Sequence, residues 1–298
     1  MKQVLGDKKM IFIFCFPALL LFSVFVLYPM ANIVVMSFQS YSGVGYAEFI
    51  GFNNFERLLD DHVFRTANRN SIGLAFLTAF VDSFIAFIFA MLIVGLKPLF
   101  QKLYKIFFLI PFVLSIAVIS QLWLAIYHPR FGILNAFLDA IGLGMLQRGW
   151  LTDPSVALVS VAFVGMWWIF GMQLLLFYTG YRTIPETYFE AAKIDGANYF
   201  QQTMKITIPL LSNIIKLSLV LTIVGGLYTF PQVFIMTEGG PGNTTMTIMM
   251  YMYRQVFSNM RFGLGSAIAF VAIVQTAILI ALISLVIRIL TKNEKVEF

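Results

Sequence analysis

Long apolar runs recur along this chain of 298 residues and are separated by shorter polar connections. Six runs each reach the length of about 20 residues that a helix needs to cross a hydrocarbon core of roughly 30 Å. Inside lipid, the backbone polar groups must be satisfied within the segment, so each run is predicted to be helical. The six predicted transmembrane helices cover residues 10–36, 71–96, 106–127, 154–181, 208–236 and 263–287.

The pattern therefore predicts an all-α, multi-pass membrane protein with one transmembrane domain over residues 1–298. Composition supports this, because 60% of the residues are hydrophobic and only 11% are charged, whereas soluble domains average about 45–50% and about 25%. The first run follows Lys8 and Lys9. It exceeds the core of about 7–15 residues in a cleaved signal peptide, so we expect it to remain as an anchor.

Basic residues predict the orientation, since Lys and Arg concentrate in cytoplasmic loops. Both termini are predicted to be cytoplasmic, and Lys216 can extend its long side chain to the headgroups on that side. The cytoplasmic connections and tails then carry Lys2, Lys8, Lys9, Lys97, Lys102, Lys105, Arg182, Lys193, Lys205, Arg288, Lys292 and Lys295. The opposite side carries the smaller set Arg57, Arg65, Arg69, Arg130, Arg148, Arg254 and Arg261.

Catalytic and metal-binding patterns are absent from the sequence. Cys15 is the only cysteine, and the two histidines lie in separate polar connections. The run Gly239–Gly242 lacks the Lys-Ser/Thr of a phosphate-binding loop, so it is predicted to form a tight turn. We expect no catalytic residue, no metal and no cofactor in this chain. The net charge of +6 is explained by topology, and no nucleic acid is expected as a partner.

Asp82 is the one acidic residue inside a predicted span. A charge at that depth costs about 2.5–3.5 kcal/mol on insertion scales. Asp82 belongs either to a proton or substrate pathway or to the packing of the helices, where it would be neutral or hydrogen-bonded. A proton-coupled carrier needs several such groups, so the packing interpretation is favoured.

The longest cytoplasmic connection, residues 182–209, is predicted to be a pair of short helices. Thr183 and Glu186 match a capping box, so a helix is expected to begin there. Gly196 is expected to end it, a second helix follows to about residue 206, and Pro209 opens the fifth span. Exposed aromatic side chains on such a pair are costly, so the pair either docks a cytoplasmic partner or packs under its own bundle. The aromatic residues concerned are Tyr188, Phe189, Tyr199 and Phe200.

This connection resembles the EAA loop of permease subunits in bacterial ABC importers, whose pattern is E-A-A, three residues, G, about nine residues, and I-x-L-P. Thr203 replaces a phenylalanine that carbohydrate importers usually have, and Ile208 replaces the usual leucine. The matching residues are Glu190, Ala191, Ala192, Asp195, Gly196, Ala197, Ile206 and Pro209.

Other segments resemble the carbohydrate branch of the same family, including maltose and multiple-sugar permeases. They are Tyr28-Pro29 with Ser37-Phe38, Gly51–Phe55, Gly239–Pro241, Arg261–Gly263 and Ser266-Ala267. The resemblance implies a type I ABC-importer permease fold in the bacterial plasma membrane, without enzymatic activity. It implies three kinds of partner: a second similar permease, a dimer of ATP-binding subunits that hold ATP and Mg²⁺, and an extracytoplasmic solute-binding protein.

The same resemblance implies roles for residues. The loop would insert into a cleft of an ATPase, with Glu190 paired to a basic residue and small residues allowing close approach. Residues of helices four and five would line the substrate path between two permeases, although Gly225 and Gly226 would equally serve close helix packing. The substrate-path residues implied in this way are Gly165, Trp168, Met172, Thr222, Gly225, Gly226 and Thr229.

The sequence therefore predicts the permease subunit of an ABC importer for sugars or oligosaccharides. One alternative is an importer of another solute, such as glycerol phosphate or a polyamine, although scarce intramembrane charge disfavours strongly charged cargo. A second alternative is an ion-coupled secondary transporter. The single intramembrane acid and the docking-type loop disfavour it.

Overall fold

The computed structural model describes residues 8–291, apart from the side chains of residues 8, 9, 11, 290 and 291. Contacts divide the chain into two compact units. The first contains the described residues up to Asp61 together with Met252–Ile273, and the second contains His62–Tyr251 and the segment that follows from Val274. That residues 1–298 form a single domain stays a prediction. Lys2, Lys292 and Lys295 lie outside the described residues, and the side on which the termini lie also stays a prediction.

The first unit begins with an almost continuous apolar helix. Helix α1 (Lys8–Phe22), a π-helical turn (Ser23–Leu27) and helix α2 (Tyr28–Ser37) follow one another directly. Together, Phe12–Ser37 is long and apolar enough to cross a membrane, which agrees with the first predicted span. None of its most apolar stretch is buried within the chain. Lipid or another protein must therefore cover this helix.

The part of the first unit that follows this helix directly in sequence is short. Strand β1 (Gln39–Ser40) pairs antiparallel with β2 (Glu48–Phe49), and helix α3 (Asn53–Asp60) follows. The side-chain amide of Asn54 donates to the carbonyl oxygens of Ser37 and Gln39, both at 2.9 Å. These bonds hold α3 against the end of the first helical run.

The second unit is built around three long helices: α4 (His62–Val94), α8 (Ala157–Tyr181) and α12 (Ser212–Leu227). Glycines allow two close backbone approaches. A Cβ on Gly226 would lie 2.5 Å from the Cα of Ala75, and a Cβ on Gly171 would overlap the backbone of Phe108 on helix α5 (Pro98–Val113). Small residues at such crossings are typical of membrane helix packing. The apolar core between these helices contains Ala86, Ala90, Leu174, Phe177, Ala75, Ala79, Ile223 and Leu227.

The third predicted span is broken, which corrects the expectation of one helix over residues 106–127. Helix α5 ends at Val113 and helix α6 (Ile116–Ile126) begins after two intervening residues, and the axes of the two helices are bent by 96°. The Ser115 hydroxyl accepts from the backbone N–H of Val118 at 3.4 Å and caps the new helix. The described residues therefore contain five helices able to span, or six if the bent pair is one span.

Other bounds differ modestly from the predictions. Helix α4 begins at His62, nine residues before the predicted start at 71, because the helix continues through polar residues that hydrophobicity excludes. Helix α7 (Ile133–Ala140) follows α6, and α13 (Pro231–Met236) follows α12 after a break at Tyr228–Phe230. Helices α14 (Ile248–Tyr253) and α15 (Phe262–Thr291) complete the described chain, and α15 contains the sixth predicted span.

Candidate functional site

The EAA-like residues form a helix that ends in a specific hydrogen-bonded turn. Helix α9 covers Glu186–Ile194. Gly196 has φ +77°, a left-handed conformation that glycine adopts without strain. Its N–H donates to the Lys193 carbonyl at 3.1 Å, and the Ala197 N–H donates to the Ala192 carbonyl at 2.8 Å. These two bonds are a Schellman motif, so the spacing of Ala192, Gly196 and Ala197 has a structural cause.

The predicted capping box at Thr183 and Glu186 is wrong. The Thr183 hydroxyl donates to the Gly180 carbonyl at 2.7 Å, and Pro185 stands at the N-cap without a side-chain cap. A capping box forms instead at the second helix, α10 (Tyr199–Gln202), where Asn198 and Gln201 exchange two bonds of 2.9 Å. Asparagine is a strong N-cap residue, and its position before an apolar pair was the available sequence evidence.

Helix α10 is not followed by a loop before the fifth apolar helix. It continues through a π-helical turn (Thr203–Thr207) into α11 (Ile208–Leu210), after which α12 begins at Ser212. Pro209 therefore lies in α11, and the fifth span starts a few residues later than 208. Ile206 and Pro209 are half-buried at this junction. The two-helix shape of the loop agrees with the prediction.

Most of the predicted loop residues point away from the rest of the chain. Glu190, Ala191, Asp195 and Gly196 are exposed, while Ala192 and Ala197 are half-buried. Among the four aromatic residues, only Phe189 stacks on its own chain, with its ring centroid 5.4 Å from that of Tyr181. Large side chains of this connection are exposed, including Ile194 at 87%, Tyr199 at 63% and Phe200 at 67%.

Six of the seven predicted substrate-path residues surround one small cavity between α4, α8, α12 and α13. Its volume is about 60 Å³, which is roughly twice the share of a water molecule in liquid water. Met172 does not line this cavity. The residues that do are Gly165, Trp168, Thr222, Gly225, Gly226 and Thr229, together with Leu74, Thr78, Asp82, Val161, Ala162, Ile169 and Gln232. We call this cavity the recess.

The adjacent glycines of α12 have different environments. Gly226 packs against α4, where a Cβ would also lie 2.7 Å from the Thr78 hydroxyl. A Cβ on Gly225 would meet nothing within 4 Å. Gly165 leaves room for the amide of Gln232, since a Cβ there would lie 2.8 Å from its Nε2. Close packing against α4 therefore explains why residue 226 is a glycine. No neighbouring atom requires a glycine at position 225, where a side chain would enter open space.

Hydroxyl groups in the recess use their protons on the backbone. Thr78 donates to the Leu74 carbonyl at 2.8 Å, Thr222 to the Ser218 carbonyl at 2.9 Å, and Thr229 to the Gly225 carbonyl at 3.1 Å. A hydroxyl has one donor and two acceptor lone pairs. Each threonine oxygen therefore retains only the capacity to accept. Trp168 likewise donates its Nε1–H, to the Leu114 carbonyl at 2.9 Å.

Asp82 and Gln232 have no side-chain hydrogen-bond partner among the described residues. Asp82 is 3% exposed and Gln232 is 9% exposed, and the carboxylate Oδ2 is fully enclosed. Leaving a buried polar group unsatisfied costs about 1–3 kcal/mol, and more for a charged group. Asp82 also borders a second cavity of about 370 Å³, whose other lining residues are apolar or aromatic. Apart from the indole N–H of Trp167, the other polar side chains that border these two cavities lie on the recess side.

On the other side of the second unit, the predicted turn lies between α13 and α14. Gly239 and Gly242 have positive φ values of +88° and +57°, as a tight turn requires. Asn70 of α4 donates to the carbonyls of Thr244 and Met246 at 2.8 and 2.9 Å. This side chain ties the connection to the start of α4. Within the described chain, no group of three or more His, Cys, Asp or Glu comes together as metal ligands.

A family model described as "Binding-protein-dependent transport system inner membrane component" matches residues 83–295. The chain belongs to this family. The permease is 31% identical over 276 residues to a probable ABC transporter permease protein of Pyrococcus horikoshii, which covers 92% of this chain and 94% of that one. It is also 31% identical to the sulfoquinovosyl glycerol transport system permease of Agrobacterium fabrum (90% and 86% covered) and to the lactose transport system permease of Rhizobium radiobacter (90% of each).

A solved structure shows the fold directly. A chain from the crystal structure of a bacterial alginate ABC transporter, in complex with alginate pentasaccharide-bound periplasmic protein, superposes on the permease with a TM-score of 0.83. The superposition covers 98% of each chain at 21% identity. The predicted all-α importer-permease fold and the predicted family are confirmed. The individual roles of the loop and recess residues stay predictions.

Proposed function

We propose that this permease is the membrane subunit of an ATP-driven importer for sugars or oligosaccharides in a bacterial plasma membrane. Its relatives are named for sulfoquinovosyl glycerol and lactose transport. The recess, at about 60 Å³, is smaller than a sugar ring, but its tryptophan, three threonine hydroxyls and one glutamine amide suit a substituent of such a ring. The permease itself hydrolyses nothing.

The observation that carries the proposal is the exposed helix pair of residues 182–209, which we call the coupling loop. A helix pair on which Ile194, Tyr199 and Phe200 are largely uncovered by the rest of the chain is costly in water unless a partner covers it. Coupling to a partner also requires a firmly held shape, and the Schellman motif and the Asn198–Gln201 box supply it. We assign this surface to a cleft on a separate ATPase subunit, with Glu190 at its edge.

Transport then follows from a two-state change. A dimer of ATPase subunits binds ATP and Mg²⁺ and closes, which pulls the loops of two permeases together. The helices shift between inward-open and outward-open arrangements because each state has different contacts with nucleotide and cargo. The second permease supplies the other half of the path, and a solute-binding protein delivers the cargo from outside.

The test is to purify the permease from its native membrane and reconstitute what accompanies it. We expect an ATPase, a second permease and a solute-binding protein, and uptake of a sugar into liposomes that stops when ATP is removed. Uptake should persist when ionophores remove the proton and sodium gradients. Active transport by the isolated chain, or uptake that collapses with an ion gradient while ATP remains, would contradict the proposal.

A further inference from the structure

We propose that the first unit contains a binding site for the headgroup of an anionic phospholipid such as phosphatidylglycerol. The site is a cavity of about 440 Å³, which we call the arginine pocket. It is lined by residues 40–42 after α2, by one side and the end of α3, and by residues 260–264 at the start of α15. All of these residues belong to the first unit.

Backbone contacts hold the segments of the arginine pocket together. The N–H of Gly263 donates to the Tyr41 carbonyl at 3.1 Å. A Cβ on Gly263 would overlap the carbonyl oxygen of Gln39, so the start of α15 lies directly against β1. The Asn54 amide joins α3 to the same Gln39 carbonyl at 2.9 Å. The pocket is therefore formed by the fold itself, before any ligand binds.

Two guanidinium groups in the arginine pocket have no partner. Arg57 and Arg261 are exposed, and neither side chain has a hydrogen bond, ion pair or ring contact within the described part of the chain. The backbone N–H of Arg261 is fixed by a bond of 2.8 Å to the Gln255 carbonyl. Asp61 is the one acidic residue among the lining residues. Two positive charges against one negative charge leave the pocket with a net positive charge.

The hydrogen-bonding groups of the pocket complement a phosphatidylglycerol headgroup. A guanidinium only donates, and arginine binds phosphate oxygens with two parallel N–H donors. The Tyr41 and Ser42 hydroxyls already donate to the carbonyls of Gly43 and Val44, at 3.0 and 3.2 Å. Their oxygens retain only the capacity to accept. The phosphodiester therefore matches the two arginines, and the glycerol hydroxyls of the headgroup match these two oxygens.

The position of the pocket favours a membrane lipid over a soluble anion. The first apolar span ends at Ser37, shortly before Ser40, and the last begins at Phe262, directly after Arg261. The pocket therefore lies where hydrocarbon gives way to headgroups. The most apolar stretches of these two spans are 0% and 6% buried within the chain. Acyl chains can lie along them while the headgroup occupies the pocket.

The experiment uses the permease purified with the subunits that accompany it, in phosphatidylcholine nanodiscs with a trace of photoreactive phosphatidylglycerol. Crosslinked peptides are mapped by mass spectrometry. We expect crosslinks in residues 39–61 and 257–264, and we expect unlabelled phosphatidylglycerol to suppress them. Phosphatidylethanolamine, which has no net charge, and water-soluble glycerol phosphate should not suppress them at the same concentration.

Variants test the two arginines. Arg57→Gln and Arg261→Gln should each lower the crosslinking yield about fivefold, the effect of one basic residue near an anionic membrane surface. The double variant should lose the crosslinks in both segments. Arg130→Gln is the matched control, because it removes an exposed positive charge outside the pocket. Its crosslinking yield should equal that of the wild type.

Four results would overturn the lipid site. They are equal suppression by phosphatidylethanolamine, equal suppression by glycerol phosphate, wild-type crosslinking in the double variant, and an equal loss in Arg130→Gln. Displacement of the lipid by an accompanying solute-binding protein would assign the arginines to a protein interface instead. Should a variant fail to fold, the competition with wild-type protein decides. Because no transported cargo enters the assay, failure of the proposed sugar import leaves the lipid site standing.

Discussion

Replacing Gly196 tests the coupling loop at its most constrained backbone position. The residue has φ +77°, and a Cβ there would meet nothing within 4 Å. A valine therefore fits in space, and its whole penalty is conformational, about 1–2 kcal/mol for the left-handed region. An asparagine tolerates this region much better. A penalty of that size lowers the population of the docking shape roughly 5–30-fold.

The assay is the number of sugar molecules imported per ATP hydrolysed by the reconstituted importer. Gly196→Val should lower this ratio severalfold, Gly196→Asn should remain close to wild type, and Gly196→Pro should abolish import. Proline fixes φ near −65° and removes the N–H that bonds the Lys193 carbonyl at 3.1 Å. All three proteins should still insert into the membrane.

A matched control lies in another connection. Gly142 has φ +78° with open space around it, and its turn after α7 contains the same pair of bonds, from Gly142 to Asp139 and from Leu143 to Leu138. Gly142→Val carries equal backbone strain outside the coupling loop, so the import-to-ATP ratio should not change. Equal coupling in Gly196→Val and Gly196→Asn, or equal losses in Gly196→Val and Gly142→Val, would refute the reasoning.

Three other predictions concern single contacts. Glu190→Lys reverses an exposed charge on α9 and should leave membrane insertion intact but abolish ATP-driven uptake. The control Glu56→Lys, on α3, should transport normally. Uptake by Glu190→Lys at the wild-type rate would show that Glu190 does not belong to the docking surface. Gly226→Ala places a Cβ against the Ala75 backbone and should destabilise the protein by about 1–3 kcal/mol. The melting temperature of this variant should fall, whereas that of the control Gly225→Ala should not. Asn70→Leu removes two bonds to the connection before α14 and should speed hydrogen exchange at residues 237–247; unchanged exchange there would show that other contacts hold the turn.

The length of the apolar runs was sufficient to predict the spanning helices but not the breaks within them. A window of about 19 residues averages over a break, so the bend at Leu114–Ser115 was hidden inside one apolar run. Proline can bend a helix, yet Pro111 lies within α5, and the chain turns where Ser115 can cap the next helix. The early start of α4 was missed for the opposite reason, because a helix can continue into water wherever its polar residues find partners. Asn68 does so, accepting from the Gln275 amide at 2.8 Å.

The candidate sites differ in how far the sequence revealed them. The loop motif was readable because its glycine spacing follows from local backbone geometry, although Thr183 bonds backward to Gly180 and cannot cap α9. The recess depends on which residues of four helices face each other, and that information is not local. Gln232 was missed because it follows the break after α12, where the helical register no longer carries over from Thr229.

The backbone contacts at Gly226 and Gly171 limit how the second unit can deform. Where main chains touch without intervening side chains, neither sliding nor rotation of one helix over the other is possible without opening a gap. Helix α12 should therefore move together with α4, and helix α8 together with α5. The two interruptions, Leu114–Ser115 and Tyr228–Phe230, are then the places where α6 and α13 can change direction without disturbing either pair.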